Sequence, residues 1–230
     1  GVRGTVIATA LALGRIERQG ELGLRVEAGV PCARVARAAA DAGLEGAEFL
    51  VGIPGTMGGA LAMNAGAFGG ETWPLVRAVE TVDRRGVRRM RGPEDYRIGY
   101  RSVEGPAGEW FVAAHLELRR GDGEEARERI RDCLRRRSET QPTGVASCGS
   151  VFRNPPGDHA GRLIEAAGLK GYCIGDACVS EKHANFIVNR GNASARDIEA
   201  LIAHVQATVE RASGVRMVPE VHIVGEYGEA

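Results

Sequence analysis

The densest run of small residues in this chain is GIPGTMGGALAMNAGAFGG, residues 52–70. Such a run lets the backbone approach a ligand closely, and its exposed N–H groups can hold an anion without a side-chain cation. A Walker loop is excluded, because no Gly-Lys-Ser/Thr ending brings a lysine to the outer phosphates. A Rossmann fingerprint is excluded as well, since no set of these glycines is spaced G-x-G-x-x-G. What remains is Gly52, Gly55, Thr56, Gly58, Gly59, Ala60, Ala62, Asn64, Ala65 and Gly66. Pro54 fixes one turn, and Asn64 suits unusual backbone angles or the donation of a hydrogen bond. Composition leaves two readings side by side: a ligand cradle, and tight packing in a plain surface loop.

Other residues carry chemistry by type. Ser150 in CGSVFRNP reads as a turn serine capping backbone groups. Arg101 in GYRS reads as a hairpin arginine, and Glu220 after Pro219 as an exposed strand glutamate. His183 in SEKHANF is either structural or a ready acid or base. Cys173 and Cys178 make no zinc pattern, because no second pair accompanies them. Cys148 near Ser150 has no evident paired base, so it is not read as a nucleophile.

These residues must be placed by a mixed set of elements. TVIATAL and GLRVEAGV read as strands joined at Gln19-Gly20. PCARVARAAADAGL reads as a helix, with Pro31 in its first turn and Gly43 at its stop. LVRAVETVDRRGVRRM reads as a hairpin turning near Arg85-Gly86, and EWFVAAHLELRRG as another strand. GEEARERIRDCLRRRSETQP is a charged amphipathic helix with Ala126, Ile130, Cys133 and Leu134 on one stripe. Its interleaved glutamates make its arginines a solvated face rather than an anion site. Further on come a short helix AGRLIEAAG, strands around ANFIVNRG, and a long helix. Ser194 is that helix's N-cap with Asp197 three residues on, and Ile198, Leu201, Ile202, Val205 and Val209 form its buried face. VRMVPEVHIVG closes as a strand. The change of style near residue 122 marks a domain boundary, giving 1–122 and 123–230 in an α+β chain.

Bulk properties narrow the class. The 230 residues suffice for one large domain or two modest ones, and hydrophobic content is ordinary. A formal net charge of zero argues against a general nucleic-acid or membrane binder. No apolar run reaches a membrane span, and no signal peptide opens the chain. The five cysteines are odd in number and scattered, which is not a disulfide framework and suits a reducing cytosol.

Six blocks occur in order: GIPGTMGGALAMNAGAFGGE, GYRS, CGSVFRNP, AGRLIEAAGLKG, VSEKHANFIVN and PEVHIVG. Together they resemble the UDP-N-acetylenolpyruvoylglucosamine reductases, over essentially the whole chain and in the branch lacking an extra tyrosine-bearing loop. The resemblance implies part of an FAD-binding domain of the vanillyl-alcohol-oxidase (PCMH) type, followed by a smaller α+β substrate-binding domain. It also implies a cytoplasmic enzyme. NADPH would supply a hydride through FAD, and the substrate UDP-N-acetylglucosamine enolpyruvate would become UDP-N-acetylmuramate. No nucleic acid, membrane or obligate protein partner is implied. The family's first glycine loop, of G-x-G-S-N type, is not among these residues, so the resemblance implies an N-terminally truncated flavin domain. Two positions depart from the family pattern: Cys148 precedes Gly149-Ser150 where alanine is usual, and His222 stands where arginine is frequent.

Carried onto this sequence, the resemblance makes Ser150 the proton donor, Arg101 the partner of the substrate carboxylate and Glu220 a second acid. It assigns Gly52, Ile53, Pro54, Gly55, Thr56, Gly58, Gly59, Asn64, Ala65 and Gly66 to the cofactor. It assigns Tyr100, Arg101, Arg153, Asn154, Lys182 and His183 to the substrate; no metal is implied. Two other functions fit part of the pattern. One is a different FAD-dependent oxidoreductase of the same fold; the other is a non-catalytic fragment that binds a UDP-sugar.

Overall fold

A computed structural model of the chain describes residues 2–225. It divides into two compact units: Val6–Arg136, and the residues from Arg137 onward with the short stretch before Val6.

In chain order the first unit contains β1 (Ile16–Gln19), β2 (Gly23–Glu27), α1 (Cys32–Asp41), β3 (Leu44–Glu45) and α2 (Met57–Met63). The short strands β4 (Gly66–Ala67) and β5 (Gly70–Glu71) follow, then β6 (Val76–Asp83) and β7 (Arg88–Arg91). It is completed by β8 (Arg97–Gly99), β9 (Ser102–Glu104), β10 (Glu109–Glu117), β11 (Arg119–Arg120) and most of α3 (Gly123–Thr140). An antiparallel sheet in the order β1-β2-β10-β6-β7 forms its frame. Leu24, Val26, Val79, Ala114 and Leu116 point from one face of that sheet into a core shared with Val35, Leu50, Met57, Leu61 and Trp73. The period-2 alternation of β2 makes this possible, since only every second side chain can face the core. Ala126 and Ile130 of α3 are buried in the same core, while Cys133 is half-buried and Leu134 exposed. The division between the units therefore falls inside α3.

The second unit contains β12 (Ser147–Ser150), α4 (Ala160–Ala166), β13 (Cys173–Ile174), β14 (Ala177–Val179), β15 (Phe186–Asn189) and α5 (Ala195–Ser213). Its sheet runs β12-β15-β14-β13, all antiparallel. Leu201, Val205 and Val209 of α5 pack with Phe152, Ile164 and Met217 beneath it. The expected cap of α5 is present: the Ser194 hydroxyl oxygen accepts from Asp197 N–H at 3.1 Å and Asp197 accepts from Ser194 N–H at 2.8 Å. Of the expected buried face, Ile198 is only partly buried.

Four local expectations are corrected. TVIATAL is not a strand: Thr9–Leu11 is a 3₁₀ turn closed by Ala12 N–H donating to Thr9 O at 3.1 Å. It lies against Gly29, where a Cβ would meet the carbonyls of Thr9 and Leu13. The glycine run is not all loop, because α2 occupies its middle. VRMVPEVHIVG forms no strand; its pairing is reduced to a single antiparallel bridge, Phe152 to Pro219. The bonds of that bridge are Arg153 N–H to Val218 O and Glu220 N–H to Val151 O, so Pro219 sits at a position whose missing N–H this pairing does not need. Lastly, Cys173 and Cys178 form a disulfide, which departs from the all-reduced picture. The β13–β14 hairpin sets them directly opposite each other with Cα atoms 4.1 Å apart, a proximity that residue counting does not reveal.

Candidate active site

The candidate residues fall into two groups, one per unit. In the first unit, α2 begins after Thr56 and ends at Asn64, a buried residue with φ 43°. Asparagine tolerates that left-handed conformation better than most side chains. Its amide is fully used. Nδ2 donates to Glu71 Oε2 at 3.0 Å and to Gly99 O at 3.1 Å, and Oδ1 accepts from Trp73 N–H at 3.1 Å. Asn64 thus ties the end of α2 to the β4–β5 hairpin and to the β8–β9 turn.

Arg101 sits at the tip of that turn with φ 51°. Its Nη1 donates to Asn64 O at 3.2 Å and its Nη2 to Gly66 O at 2.7 Å. These two bonds fix the plane of the guanidinium fork beside the glycine run. The neighbouring Tyr100 is exposed, with its ring centroid 5.0 Å from the Arg101 guanidinium carbon.

The glycines of the run are of two kinds. A Cβ on Gly52 would stand 2.5 Å from Phe68 Cε2, and one on Gly58 would stand 3.0 Å from Ala28 Cβ. These two serve packing within the chain. Gly55 and Gly59 have no atom within 4 Å of the same point. There the loop at Gly55 and the first turn of α2 at Gly59 present bare backbone, which suits close approach by a flat or anionic ligand group. The N–H groups of Met57 and Gly58 do not contribute, since Met57 N–H donates to Val30 O and Gly58 N–H to Ala28 O, both at 2.8 Å. Ile53 and Pro54 carry the chain between the 3₁₀ turn Glu48–Gly52 and this open stretch, and Ala65 and Gly66 lead from Asn64 into β4.

In the second unit the fold joins residues far apart in sequence. Ser150 ends β12, paired with Phe186 of β15. The next residue, Val151, donates its N–H to Asn185 O at 2.9 Å, and its own carbonyl accepts from Glu220 N–H at 2.8 Å. Arg153 N–H donates to Val218 O at 2.9 Å. Residues 151–153 are therefore held on two sides, with Ser150 at one end, Arg153 and Asn154 at the other, and the half-buried Glu220 alongside. Arg153 Nε is buried without a hydrogen-bond partner among the described residues, a polar group suited to an incoming acceptor.

Asn154 and His183 meet in a cleft of about 320 Å³ that also involves His159, Gly161, Arg162, Glu165 and Ala184. Asn154 Oδ1 accepts from Ala160 N–H at 3.0 Å, capping α4. His183 Nδ1 accepts from Asn185 N–H at 3.2 Å, so its proton is carried on Nε2. Burial lowers the pKa of His183, which keeps the ring neutral near pH 7. Lys182 is tethered through Nζ to Ser138 O. Cleft residues His159, Arg162 and Glu165 were not singled out by sequence, since a charged residue on a short helix looks like any solvated one. Arg162 is engaged by Asp158, whose pKa falls to about 2, chiefly through that hydrogen bond. A larger cleft of about 660 Å³ lies by β1, β6 and β10, beside Gln19, Arg77 and His115. Its charges are already matched: Arg77 pairs with Glu117 at 3.0 Å, and His115 bonds Gln19 and Glu80. Among the described residues no cluster of metal-ligating side chains occurs, and no helix is long and apolar enough to cross a membrane.

Two domain families match the two parts of the chain. Residues 1–90 match an FAD binding domain, and the chain is an FAD-dependent oxidoreductase of α+β fold. Residues 141–224 match the C-terminal domain of UDP-N-acetylenolpyruvoylglucosamine reductase. The reductase of that name from Alkalilimnicola ehrlichii is 63% identical over 98% of this chain and 76% of its own length. That from Methylococcus capsulatus is 62% identical over 98% and 74%. The crystal structure of the reductase from Thermus caldophilus superposes with a TM-score of 0.79 at 38% identity, covering 87% of this chain and 72% of that one. The chain belongs to the UDP-N-acetylenolpyruvoylglucosamine reductase family.

Proposed function

We propose that this chain reduces UDP-N-acetylglucosamine enolpyruvate to UDP-N-acetylmuramate, with NADPH as reductant, as a cytoplasmic step in making the peptidoglycan precursor. The observation that carries this reading is the bond from Glu220 N–H to the carbonyl of Val151, the residue after Ser150. It sets a hydroxyl and a carboxyl from opposite ends of the second unit's sequence on one short backbone clamp. When bound, FAD would relay the hydride from NADPH to the terminal carbon of the enolpyruvyl group. Negative charge then builds on the adjacent carbon and its carboxylate, and the protein must answer it. Ser150 Oγ–H donates the proton to that carbon; a hydroxyl suffices because an enolate-like carbon is strongly basic and the donor is held in place. Arg101 opposes the growing charge on the carboxylate with a planar cation, and Glu220 shares a proton with it. Arg153, Asn154, Lys182 and His183 bind the polar parts of the substrate, and Tyr100 borders Arg101. Gly55 and Gly59 give FAD its close approach, with Ile53, Pro54, Thr56, Ala65 and Gly66 shaping the loop. Gly52, Gly58 and Asn64 act behind them, through packing and hydrogen bonds. Residues 1–122 then carry the flavin loop together with Tyr100 and Arg101, and 123–230 the remaining substrate groups.

Absorbance of the purified protein with added FAD tests this. Flavin bands should bleach with NADPH and return on addition of UDP-N-acetylglucosamine enolpyruvate under anaerobic conditions. Bleaching without return by that substrate would point to another flavin oxidoreductase. Absence of flavin bands in protein separated from free FAD after incubation with it would defeat the reading.

A further inference from the structure

Asn185 is 4% exposed and lies just before β15. Its side chain acts on the backbone of one remote residue. Oδ1 accepts from Phe152 N–H at 3.0 Å, and Nδ2 donates to Phe152 O at 2.8 Å. Its own carbonyl accepts from Val151 N–H at 2.9 Å. A side-chain amide offers the same donor and acceptor as a peptide group, so Asn185 serves as an extra rung where the β12–β15 ladder stops. That ladder is irregular between Ser147 and Ser150, and Ser150–Phe186 is its last pair. Beyond it the backbone would have no regular partner on this side. The other side of the same segment carries Glu220, bonded to Val151 O at 2.8 Å.

We propose that Asn185 is a positioning residue for proton transfer: by holding Val151 and Phe152 it sets Ser150 relative to Glu220. This rests on the reading of Ser150 as proton donor. Proton delivery to carbon requires a near-attack geometry, and a displacement of about 1 Å is enough to cost on the order of 10²-fold. Hydride uptake from NADPH involves no proton from Ser150, so the two halves of the reaction respond differently to a loss at Asn185.

The test uses the flavin-loaded full-length enzyme and stopped-flow measurement of each half-reaction. In Asn185→Asp the ionised carboxylate still accepts from Phe152 N–H but cannot donate to Phe152 O. Flavin reduction by NADPH should stay within about twofold, while reoxidation by substrate slows about 10–100-fold, in its limiting rate rather than in the substrate concentration needed. The deficit should shrink at low pH, where the protonated carboxyl regains a donor, and grow as pH rises. Asn185→Ser provides the same split without the pH dependence, and stands in if the aspartate variant does not fold. Reoxidation at the wild-type rate in either folded variant overturns the proposal. So does an equal fall in both half-reactions, which marks a purely structural role. A wild-type enzyme not reoxidised by this substrate would instead overturn the functional reading.

Discussion

Two buried asparagines organise the two groups of candidate residues, and they work in opposite ways. Asn64 is 1% exposed and uses its own unusual backbone, closing α2 in a left-handed turn and collecting neighbours between Gly66 and Arg101. Asn185 is 4% exposed, and its side chain reaches across 33 positions to Phe152. The first region is shaped mainly by steric fit, since a Cβ at Gly52 would clash with Phe68 and one at Gly58 would press on Ala28. The second is shaped by hydrogen bonds between remote backbone segments. Substitutions that add volume should therefore damage the first region, and substitutions that keep volume but remove polarity should damage the second.

The sharpest break of that comparison comes at Ser150, the proposed proton donor. Ser150→Ala should lower the rate of flavin reoxidation by substrate about 10²–10⁴-fold while NADPH still reduces the flavin. Normal turnover would remove Ser150 from the mechanism. In the first unit, Arg101→Lys should lower kcat about 10²-fold, because a point charge cannot reproduce a planar fork or reach both Asn64 O and Gly66 O. Full kcat in steady-state assays would mean that the fork has no role.

Stability changes come next. Gly52→Ala should destabilise by about 1–3 kcal/mol, since its Cβ meets Phe68 Cε2 at 2.5 Å. Gly55→Ala meets nothing and should leave the urea midpoint unchanged while weakening FAD binding. Equal effects of the two on the urea midpoint would erase the distinction between packing and open glycines.

The smallest effect is acid sensitivity, which should be shared. In the first unit Asp83 is lowered to about 2, chiefly by Val87 N–H with Arg89 assisting, and Glu109 to about 2 by Arg91 and then Thr81. In the second unit Asp158 is lowered to about 2 by Arg162 and then by His159 N–H. A depressed carboxylate pKa stabilises the fold above its ordinary value near 4, and that support is lost as pH falls toward 2. Acid titration by circular dichroism should show loss in this window, and Glu109→Gln should reduce its steepness. An unchanged profile would mean that these pairs contribute nothing to the fold.

Legibility followed contact distance. The α1 and α5 helices, the hairpin at Arg85-Gly86 and the Ser194 cap were readable, because each depends on neighbours within a few residues. The closing segment was misread because its apolar alternation suggests a strand, whereas it pairs only through Val218 O and Glu220 N–H on either side of Pro219. The Cys173–Cys178 bridge was missed because a hairpin register, not a count, makes the two meet.

The sequence by itself determined the α+β character, the ordered blocks and the identity of the candidate groups: serine, arginine and glutamate with a glycine run. Residue type sets what a group can donate, accept or tolerate, and that requires no fold. Only the tertiary structure decided which glycines face open space and which are packed, that Arg101 is anchored by Asn64 O and Gly66 O, and that Asn185 and Glu220 flank Val151. The physical reason is that a backbone N–H or carbonyl is the same at every position. Which one it finds is fixed by chain topology and not by local residue preference.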